Sequence, residues 1–333
     1  MPPLFRAQDV YEAVSPERAL EAVRDAFVAY AKSEWTMPPK VYVPLYPAGD
    51  FRAMPAQGGG FALLKWISSF PGNPSRGLPT VMGTVLLSDA SSGQLLAILD
   101  AGSLTALRTG AAAVLAAELL APDSAGSVAV IGAGVNGKAV ARTFLARGRP
   151  VAIHDVDTAR AEAAAEELGA GVAASQEDAV AADVVATVTP GKNVLFREGS
   201  LRAGQHVSLM GADGPDKSEI AAAELARVSV FCDDYGQGGT DRTFDSEERV
   251  RVFCDDWEQA SHAGDLAHAV EAGLIQRGDV TQLGDVLAGT ATGRQSPDDV
   301  TIFDSTGLAI QDLAIAITAY ERANEMDLPQ VDL

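Results

Sequence analysis

The chain has 333 residues, of which 47% are hydrophobic, and its formal net charge is −20. This length and composition predict a globular protein of two domains, each with its own core. The acidic residues are dispersed and repel nucleic acid and anionic membranes, so neither is expected as a partner. No apolar run has membrane-spanning length, no secretory leader follows Pro2 and Pro3, and two cysteines make no disulfide framework. A cytoplasmic location is therefore expected.

The basic residues are six lysines and nineteen arginines. So few lysines beside so much dispersed acid favour a halophilic protein, from a cytoplasm in which a solvated acidic surface resists salting-out. An ordinary acidic enzyme is the alternative interpretation.

The first part of the chain predicts a helix, a sheet and a second helix. Ser15 caps the first helix and Pro16 takes its first turn. Short apolar runs, separated by Gly, Pro and Asn, then predict an antiparallel sheet with hairpins. These runs are 41–43, 61–67, 80–87 and 95–99. An Ala-rich helix is expected over 103–120, followed by a linker over 122–126.

The next segment has the pattern of a dinucleotide site. A buried strand, 128–131, leads directly into Gly-x-Gly-x-x-Gly, and a helical pattern follows over 135–147. The residues of the turn are Gly132, Gly134, Val135, Asn136 and Gly137. A second apolar run, 150–153, is followed by Asp155. This strand–turn–helix–strand order is typical of a nicotinamide-cofactor fold.

Each glycine has a separate physical role in this turn. Gly132 permits the tight bend, Gly134 lets the backbone approach a pyrophosphate, and Gly137 lets helix and strand pack closely. Asp155 lies 23 residues after Gly132, where an acid binds the adenosine ribose hydroxyls. Val156 follows it instead of Arg, so no guanidinium is adjacent to receive a 2′-phosphate, which favours NAD over NADP.

Beyond Asp155, predicted strands and helices alternate. Helices are expected over 157–168 and 217–225, and strands over 184–189 and 205–210, which predicts a doubly wound parallel sheet. The last apolar helix, 308–320, has the spacing to pack back on the N-terminal domain.

We therefore expect an α/β protein of two domains. Residues 122–305 form a Rossmann domain that binds NAD. Residues 1–121, completed by 306–333, form a discontinuous α+β domain.

A repeat occurs in the cofactor domain, where 227–237 recurs 22 residues later as 249–259. Each copy contains a Cys-Asp-Asp triplet, which begins at Cys232 and at Cys254. The triplets could be metal ligands, or the repeat could be a tandem duplication of one strand and its turn. The flanking residues repeat too, and no His or Cys lies at ligand spacing, so no metal site is expected.

Three charged residues lie in apolar, glycine-punctuated segments outside the cofactor turn. Lys65 interrupts an apolar strand, Arg108 begins a small-residue helix, and Asp213 follows a strand of the parallel sheet. A guanidinium can hold a carboxylate with two bonds, and ligands of such sheets bind at the carboxyl ends of strands. The alternatives are a solvated edge lysine, a surface ion pair and a helix cap.

With these segments in view, the chain resembles the ornithine cyclodeaminase/mu-crystallin family, which includes the archaeal-type alanine dehydrogenases. The matching segments lie between about 37 and 320, and they are 64–66, 70–73, 78–84, 104–109, 130–137, 211–215 and 302–307. The resemblance implies a two-domain enzyme that uses NAD(H) and a small amino or imino acid. It also implies that the first domain serves both substrate binding and dimerisation, so a homodimer is expected.

The resemblance also assigns roles to residues. It implies that Lys65 and Arg108 hold the substrate carboxylate and that Asp213 contacts the substrate nitrogen and transfers protons. Thr109 is implied near the cofactor phosphates, and Thr189 and Asp304 are implied to line the cofactor cleft.

Two positions depart from the family pattern. Lys40 lies where members usually carry an Arg, and Arg52 lies where the cyclodeaminase branch has the acid that receives the ornithine amine. Arg52 would repel that ammonium, so an NAD-dependent alanine dehydrogenase is the first expectation. An ornithine cyclodeaminase, a ketimine or pyrroline-carboxylate reductase, and a non-catalytic cofactor-binding protein are the alternatives.

Overall fold

A computed structural model describes residues 1–191, 193–212, 217–227 and 250–332. The chain forms two compact units. The first contains Met1–Val114, Arg142–Gly148 and Gly307–Leu333, and the second contains Leu115–Ala141 and Arg149–Thr306. The helices are α1 (Ala7–Ala13), α2 (Pro16–Ala31), α3 (Ala101–Leu120), α4 (Val135–Ala146), α5 (Thr158–Leu168), α6 (Gln176–Val180), α7 (Ala222–Leu225), α8 (Trp257–Ala263), α9 (Ala267–Glu271), α10 (Leu283–Leu287) and α11 (Ala309–Tyr320).

The first unit is built on a sheet of six described strands. They are β1 (Leu4–Phe5), β2 (Val41–Leu45), β3 (Gly49–Gly58), β4 (Phe61–Ser69), β5 (Val81–Asp89) and β6 (Leu95–Asp100). Their order is β1-β6-β5-β4-β3-β2, and every neighbouring pair except β1 and β6 is antiparallel. The predicted antiparallel sheet is confirmed.

The sequence pattern does not indicate β3, because Arg52 and Pro55 interrupt its apolar residues. Pro55 is tolerated there for a local reason. The pairing of β3 with β2 extends only as far as Ala53, so the N–H that proline lacks removes no bond from that ladder.

The helix α11 covers one face of this sheet. It packs against α2, β3, β4 and β5, and ten of its twelve residues are buried. The faces of β4 differ accordingly: Leu63, Lys65 and Ile67 are buried, whereas Leu64 and Trp66 are exposed. The helix predicted over 308–320 thus packs on the N-terminal sheet, as expected.

Two other helices fit their predictions. The hydroxyl of Ser15 accepts the N–H of Arg18 at the start of α2. Among the described residues, α3 is long and apolar enough to cross a membrane, but 83% of its apolar window is buried inside the protein. That position is typical of a core helix.

The two ends of the first unit meet. The N–H of Leu4 donates to the carbonyl of Pro329 at 2.8 Å, and the N–H of Val331 donates to the carbonyl of Pro2 at 3.0 Å.

The second unit is a doubly wound parallel sheet, as predicted. Its described strands are β7 (Val128–Ile131), β8 (Ala152–His154), β9 (Gly171–Val172), β10 (Val184–Thr187), β11 (His206–Leu209), β12 (Val250–Cys254), β13 (Val280–Gln282) and β14 (Val300–Asp304). They follow the order β13-β12-β14-β11-β10-β7-β8-β9. Every residue of β7, β10, β11 and β14 is buried, because both faces of a parallel sheet are covered.

The helix predicted over 217–225 is wrong in its first half, since α7 begins only at Ala222. The preceding backbone is extended instead. The carbonyl of Glu219 accepts the N–H groups of Leu195 and Phe196, and Ile220 bridges Phe196 in parallel. These bonds to a distant segment outweigh the local helical pattern.

Candidate active site

The glycine turn joins β7 to α4 in the second unit. Gly132 has a φ of +108°, and a Cβ on Gly137 would overlap the carbonyl oxygen of Gly132. At Gly134, by contrast, a Cβ would meet no atom of the described residues within 4 Å. Val135 and Asn136 form the accessible first turn of α4. The turn is thus closed between Gly132 and Gly137 and open at Gly134, which suits the approach of a pyrophosphate to free N–H groups.

Asp155 follows β8 and faces this turn. Its Oδ2 accepts the N–H of Ala133 at 2.8 Å, and its Oδ1 accepts the N–H of Asp157 at 2.9 Å. The guanidinium of Arg160, in the first turn of α5, lies 3.6 Å from the same carboxylate. The inference drawn from Val156, that no guanidinium is adjacent, is therefore wrong, because one helical turn brings Arg160 back to Asp155.

Lys65 occupies the middle of β4, and its side chain is only 1% exposed. Its Nζ donates to Thr105 Oγ1 at 2.7 Å and to Asp312 Oδ1 at 2.9 Å. Burial lowers the pKa of Lys65 to about 8, and the carboxylate of Asp312 opposes this lowering. The alternative of a solvated edge lysine is wrong. Contacts with the described residues use two of its three N–H donors, so the third has no partner among those residues.

Arg108 lies on α3, one turn after Thr105, with a side chain that is 13% exposed. Its Nε is 4.0 Å from Asp312 Oδ1. Gly307, at φ +75°, packs so closely on the guanidinium that a Cβ would lie 2.8 Å from Cζ. Asp312 therefore contacts both predicted substrate cations, and the alternative of a surface ion pair is wrong for Arg108.

Arg52 lies on the same face of the sheet as Met54, whose register partner is Lys65. Its guanidinium is buried and donates to the carboxylate of Asp50 from Nε at 2.6 Å and from Nη2 at 3.2 Å. It also lies 5.3 Å from the ring centroid of Tyr42. The guanidinium expected to repel an ornithine ammonium is thus paired with an acid, which weakens that repulsion.

Glu219 lies near the carboxyl ends of the parallel strands. Its carboxyl group accepts the hydroxyls of Thr187 at 2.6 Å and Thr189 at 2.5 Å, and its own N–H donates to Asp265 at 2.5 Å. Burial, and then the negative charge of Asp265, raises the pKa of Glu219, and burial raises the pKa of Asp265. Thr189, which the resemblance assigns to the cofactor cleft, is therefore held by a protonatable side chain.

Asp304 is the last residue of β14 and is fully buried. Its Oδ2 accepts the N–H of Leu266 at 3.0 Å, and a Cβ on Gly264 would overlap its carboxylate. Burial, followed by the negative charge of Asp265, raises the pKa of Asp304 well above its ordinary value. These contacts fix the loop at 264–266 to the sheet, and a contact of Asp304 with the cofactor stays a prediction.

The second copy of the repeat has structural roles. Cys254 ends β12 and is buried, Asp255 accepts the hydroxyl of Ser305 at 3.1 Å, and Asp256 caps α8. Residues 228–237 of the first copy, which include Cys232, lie outside the described residues.

The assigned roles of three further site residues also stay predictions. Asp213 lies outside the described residues. Thr109 donates its hydroxyl to the carbonyl of Thr105 at 2.7 Å, within α3. Lys40 is half-buried directly before β2.

Sequence reasoning missed Asp312 and Glu219. A signal existed for Asp312, since it is the one charged residue in the apolar helix α11. No signal existed for Glu219, because its segment reads as an ordinary amphipathic helix.

Comparison with known proteins places these residues in context. The chain matches the model of the ornithine cyclodeaminase/mu-crystallin family over residues 3–327. It is 36% identical to an alanine dehydrogenase of Archaeoglobus fulgidus, over 96% of this chain and 94% of that protein. It is 30% identical to an ornithine cyclodeaminase of Agrobacterium tumefaciens, over 84% of this chain and 76% of that protein. A solved archaeal alanine dehydrogenase dimer with bound NAD matches with a TM-score of 0.85 and 37% identity, over 97% of this chain and 96% of that one.

Proposed function

We propose, from the premise that this chain belongs to the ornithine cyclodeaminase/mu-crystallin family, that it is an NAD-dependent dehydrogenase of a small amino acid. L-alanine is the first candidate substrate. The reaction converts L-alanine, water and NAD⁺ into pyruvate, ammonium, NADH and a proton. The solved archaeal relative binds NAD, and the open turn at Gly134 beside Asp155 is suited to the same cofactor.

One observation carries the proposal: the buried Lys65 and the largely buried Arg108 share a single buried carboxylate. Lys65 and Arg108 both face Asp312, so this cluster has an excess of one positive charge. Burying an unpaired charge is costly, and a substrate carboxylate would neutralise it. The Arg52–Asp50 pair beside the cluster adds no net charge.

The cluster gives each residue a defined task in the reaction. Lys65 and Arg108 bind the carboxylate and so fix the direction in which the Cα hydrogen points. Bound NAD would supply the acceptor for this hydrogen as hydride. By family resemblance, Asp213 takes the proton from the nitrogen and later activates the water that adds to the imine carbon. The carbon–nitrogen bond then breaks, and pyruvate and ammonia leave.

The relative named ornithine cyclodeaminase makes cyclisation of ornithine to proline the second candidate. Ornithine carries an extra ammonium, which needs an unpaired acid. Asp50, the acid nearest to the aligned position, is bound by Arg52 at 2.6 Å and 3.2 Å. This pairing favours a monoamino acid. Reduction of a cyclic imine, the third candidate, uses the same carboxylate anchor.

A substrate screen with NAD(H), run at low and at molar potassium chloride, tests the proposal. Sustained NADH formation from L-alanine supports it. Proline formed from ornithine without net NADH indicates the cyclodeaminase, and NADH loss with a cyclic imine indicates the reductase.

Lys65→Met should raise the alanine KM at least about tenfold, whereas Lys32→Met, an exposed control, should not. Absence of NADH binding would contradict the proposal.

The proposal includes a homodimer formed through the exposed face of the first unit's sheet. Apolar residues on this face are Val41, Val43, Leu64, Trp66, Met82 and Leu86, each at least 37% exposed. Phe51 stacks on Trp66 in the middle of the face, with ring centroids 5.4 Å apart. Contiguous exposed apolar surfaces of this kind mark interfaces between proteins, and the solved archaeal relative is a dimer.

A further inference from the structure

Asp312 is a fully buried acid that faces two cations. Its Oδ1 accepts an N–H of Lys65 at 2.9 Å and lies 4.0 Å from Arg108 Nε. Its Oδ2 has no hydrogen-bond partner in the part of the chain that the structure describes. The residue is therefore held mainly by charge and only partly by hydrogen bonds.

Stability of the fold gives no reason for an acid at this position. Apart from Gln311, the neighbouring residues of α11 are apolar, and a buried ion pair is often no more stable than well-packed apolar side chains of similar volume. The acid must be explained by what it does for the two cations.

The groups that face Lys65 shift its pKa in opposite directions. Burial lowers the pKa of Lys65, and so do the positive charges of Arg108 on α3 and Arg52 on β3. Asp312 on α11 is the group that raises it. Without this acid, Lys65 would lose its proton near neutral pH, and a neutral amine holds a carboxylate poorly.

We propose that Asp312 is a positioning residue that keeps the buried Lys65 ammonium charged for the substrate carboxylate. The charge of Asp312 keeps Lys65 protonated, while the hydrogen bond to Thr105 fixes the direction in which the ammonium group points. The hydroxyl of Thr105 donates to the carbonyl of Ala101 at 2.7 Å, which leaves its lone pairs facing Lys65. The proposal rests on the proposed function only for the identity of the substrate.

Titration of the lysine side chains by NMR tests the proposal without any turnover. The chain has six lysines, so ¹³Cε-labelled lysine gives few signals, and Lys65→Met identifies the signal of Lys65. We expect Lys65 to titrate at about 8 in the wild type. In Asp312→Asn its midpoint should fall by about one to three pH units, while the other lysines keep theirs.

Thr105→Val is the matched comparison, because it removes a hydrogen bond from Lys65 but leaves the charge of Asp312. Its effect on the midpoint should be much smaller. An unchanged Lys65 midpoint in Asp312→Asn, or an equal shift in both variants, overturns the proposal. Asp312→Ser gives the same measurement if the Asn variant does not fold, with the dispersion of the amide NMR signals of the first unit as the check on folding.

Enzyme kinetics then test whether the protonation of Lys65 affects substrate binding. In Asp312→Asn the KM for L-alanine should rise about tenfold at neutral pH, with a smaller change in kcat. Asp9→Asn, which removes another buried acid of the same unit, should leave KM unchanged. A wild type inactive on alanine would contradict the proposed function alone, because the NMR titration still decides the role of Asp312.

Discussion

Within the glycine turn, folding and ligand binding depend on different residues. A Cβ on Gly137 overlaps the carbonyl of Gly132, whereas a Cβ on Gly134 has no atom within 4 Å in the part of the chain that the structure describes. We expect Gly137→Ala to destabilise the protein by about 3 kcal/mol and to abolish NADH binding.

Gly134→Ala should keep the melting temperature and weaken NADH binding at least about tenfold, since its Cβ enters the space of the pyrophosphate. Thermal denaturation and NADH fluorescence measure the two effects. A destabilised Gly134→Ala, or one that binds NADH normally, would show that the turn does not work in this way.

Whether the sequence predicts the role of a residue depends on how far its partner lies along the chain. The roles of Gly132 and Gly137 follow from a local steric requirement, so the sequence alone indicates them. The partner of Lys65 is Asp312, 247 residues away, and no local pattern connects the two. The same limit applies to Arg52, whose charge suggests repulsion until its pairing with Asp50 is seen.

Among the elements, β4 has two faces with opposite tasks. Its alternation places Lys65 towards α11 and Trp66 towards solvent. We expect Trp66→Glu to convert the proposed dimer into a monomer, because a charge in an apolar interface costs desolvation energy. Sedimentation velocity measures the change. Leu274→Glu, at an exposed residue of the second unit, is the control, and a Trp66→Glu protein that stays dimeric would exclude this face as the interface.

The ends of the parallel strands hold acids that favour the protonated state. Burial raises the pKa values of Glu219, Asp265 and Asp304 in the folded protein. The folded state then binds more protons than the unfolded chain at neutral pH, so stability falls as pH rises towards the folded pKa values. His206 affects stability at acidic pH. Burial lowers its pKa to about 3, so stability also falls as pH drops below 6.5.

We expect Glu219→Gln to reduce the loss of melting temperature between about pH 5 and about pH 8, because the amide cannot ionise as the pH rises through the folded pKa of about 7. Glu224→Gln is the control, since Glu224 is equally buried but binds the N–H groups of Gly199 and Leu201. A parallel pH dependence of Glu219→Gln and wild type would contradict this assignment.

The predictability of an element depends on where its backbone bonds lie. The strands β7 and β10 are short apolar runs in a repeated strand–helix order, and the sequence indicates them. The backbone at Glu219 is extended because Leu195 and Phe196 bind it, and this competition is invisible in a local pattern.

At the scale of the whole molecule, the net charge of −20 makes stability depend on salt. Acidic groups repel one another in the compact state, and salt shortens the range of this repulsion from about 10 Å at 0.1 M to about 3 Å at 1 M. We expect the melting temperature to rise by about 5 °C between low and molar potassium chloride. Sucrose serves as an uncharged comparison, and an unchanged melting temperature in salt would contradict a halophilic protein.

The distance along the chain between α11 and the sheet that it covers has a consequence for synthesis. The sheet that it covers leaves the ribosome first, and roughly 200 residues of the second unit follow before the helix is made. At about 5–20 residues per second, the inner face of the nascent sheet stays bare for roughly 10–40 s. We expect chaperones to bind it during that interval, and proteases to remove any product whose translation stops before residue 309.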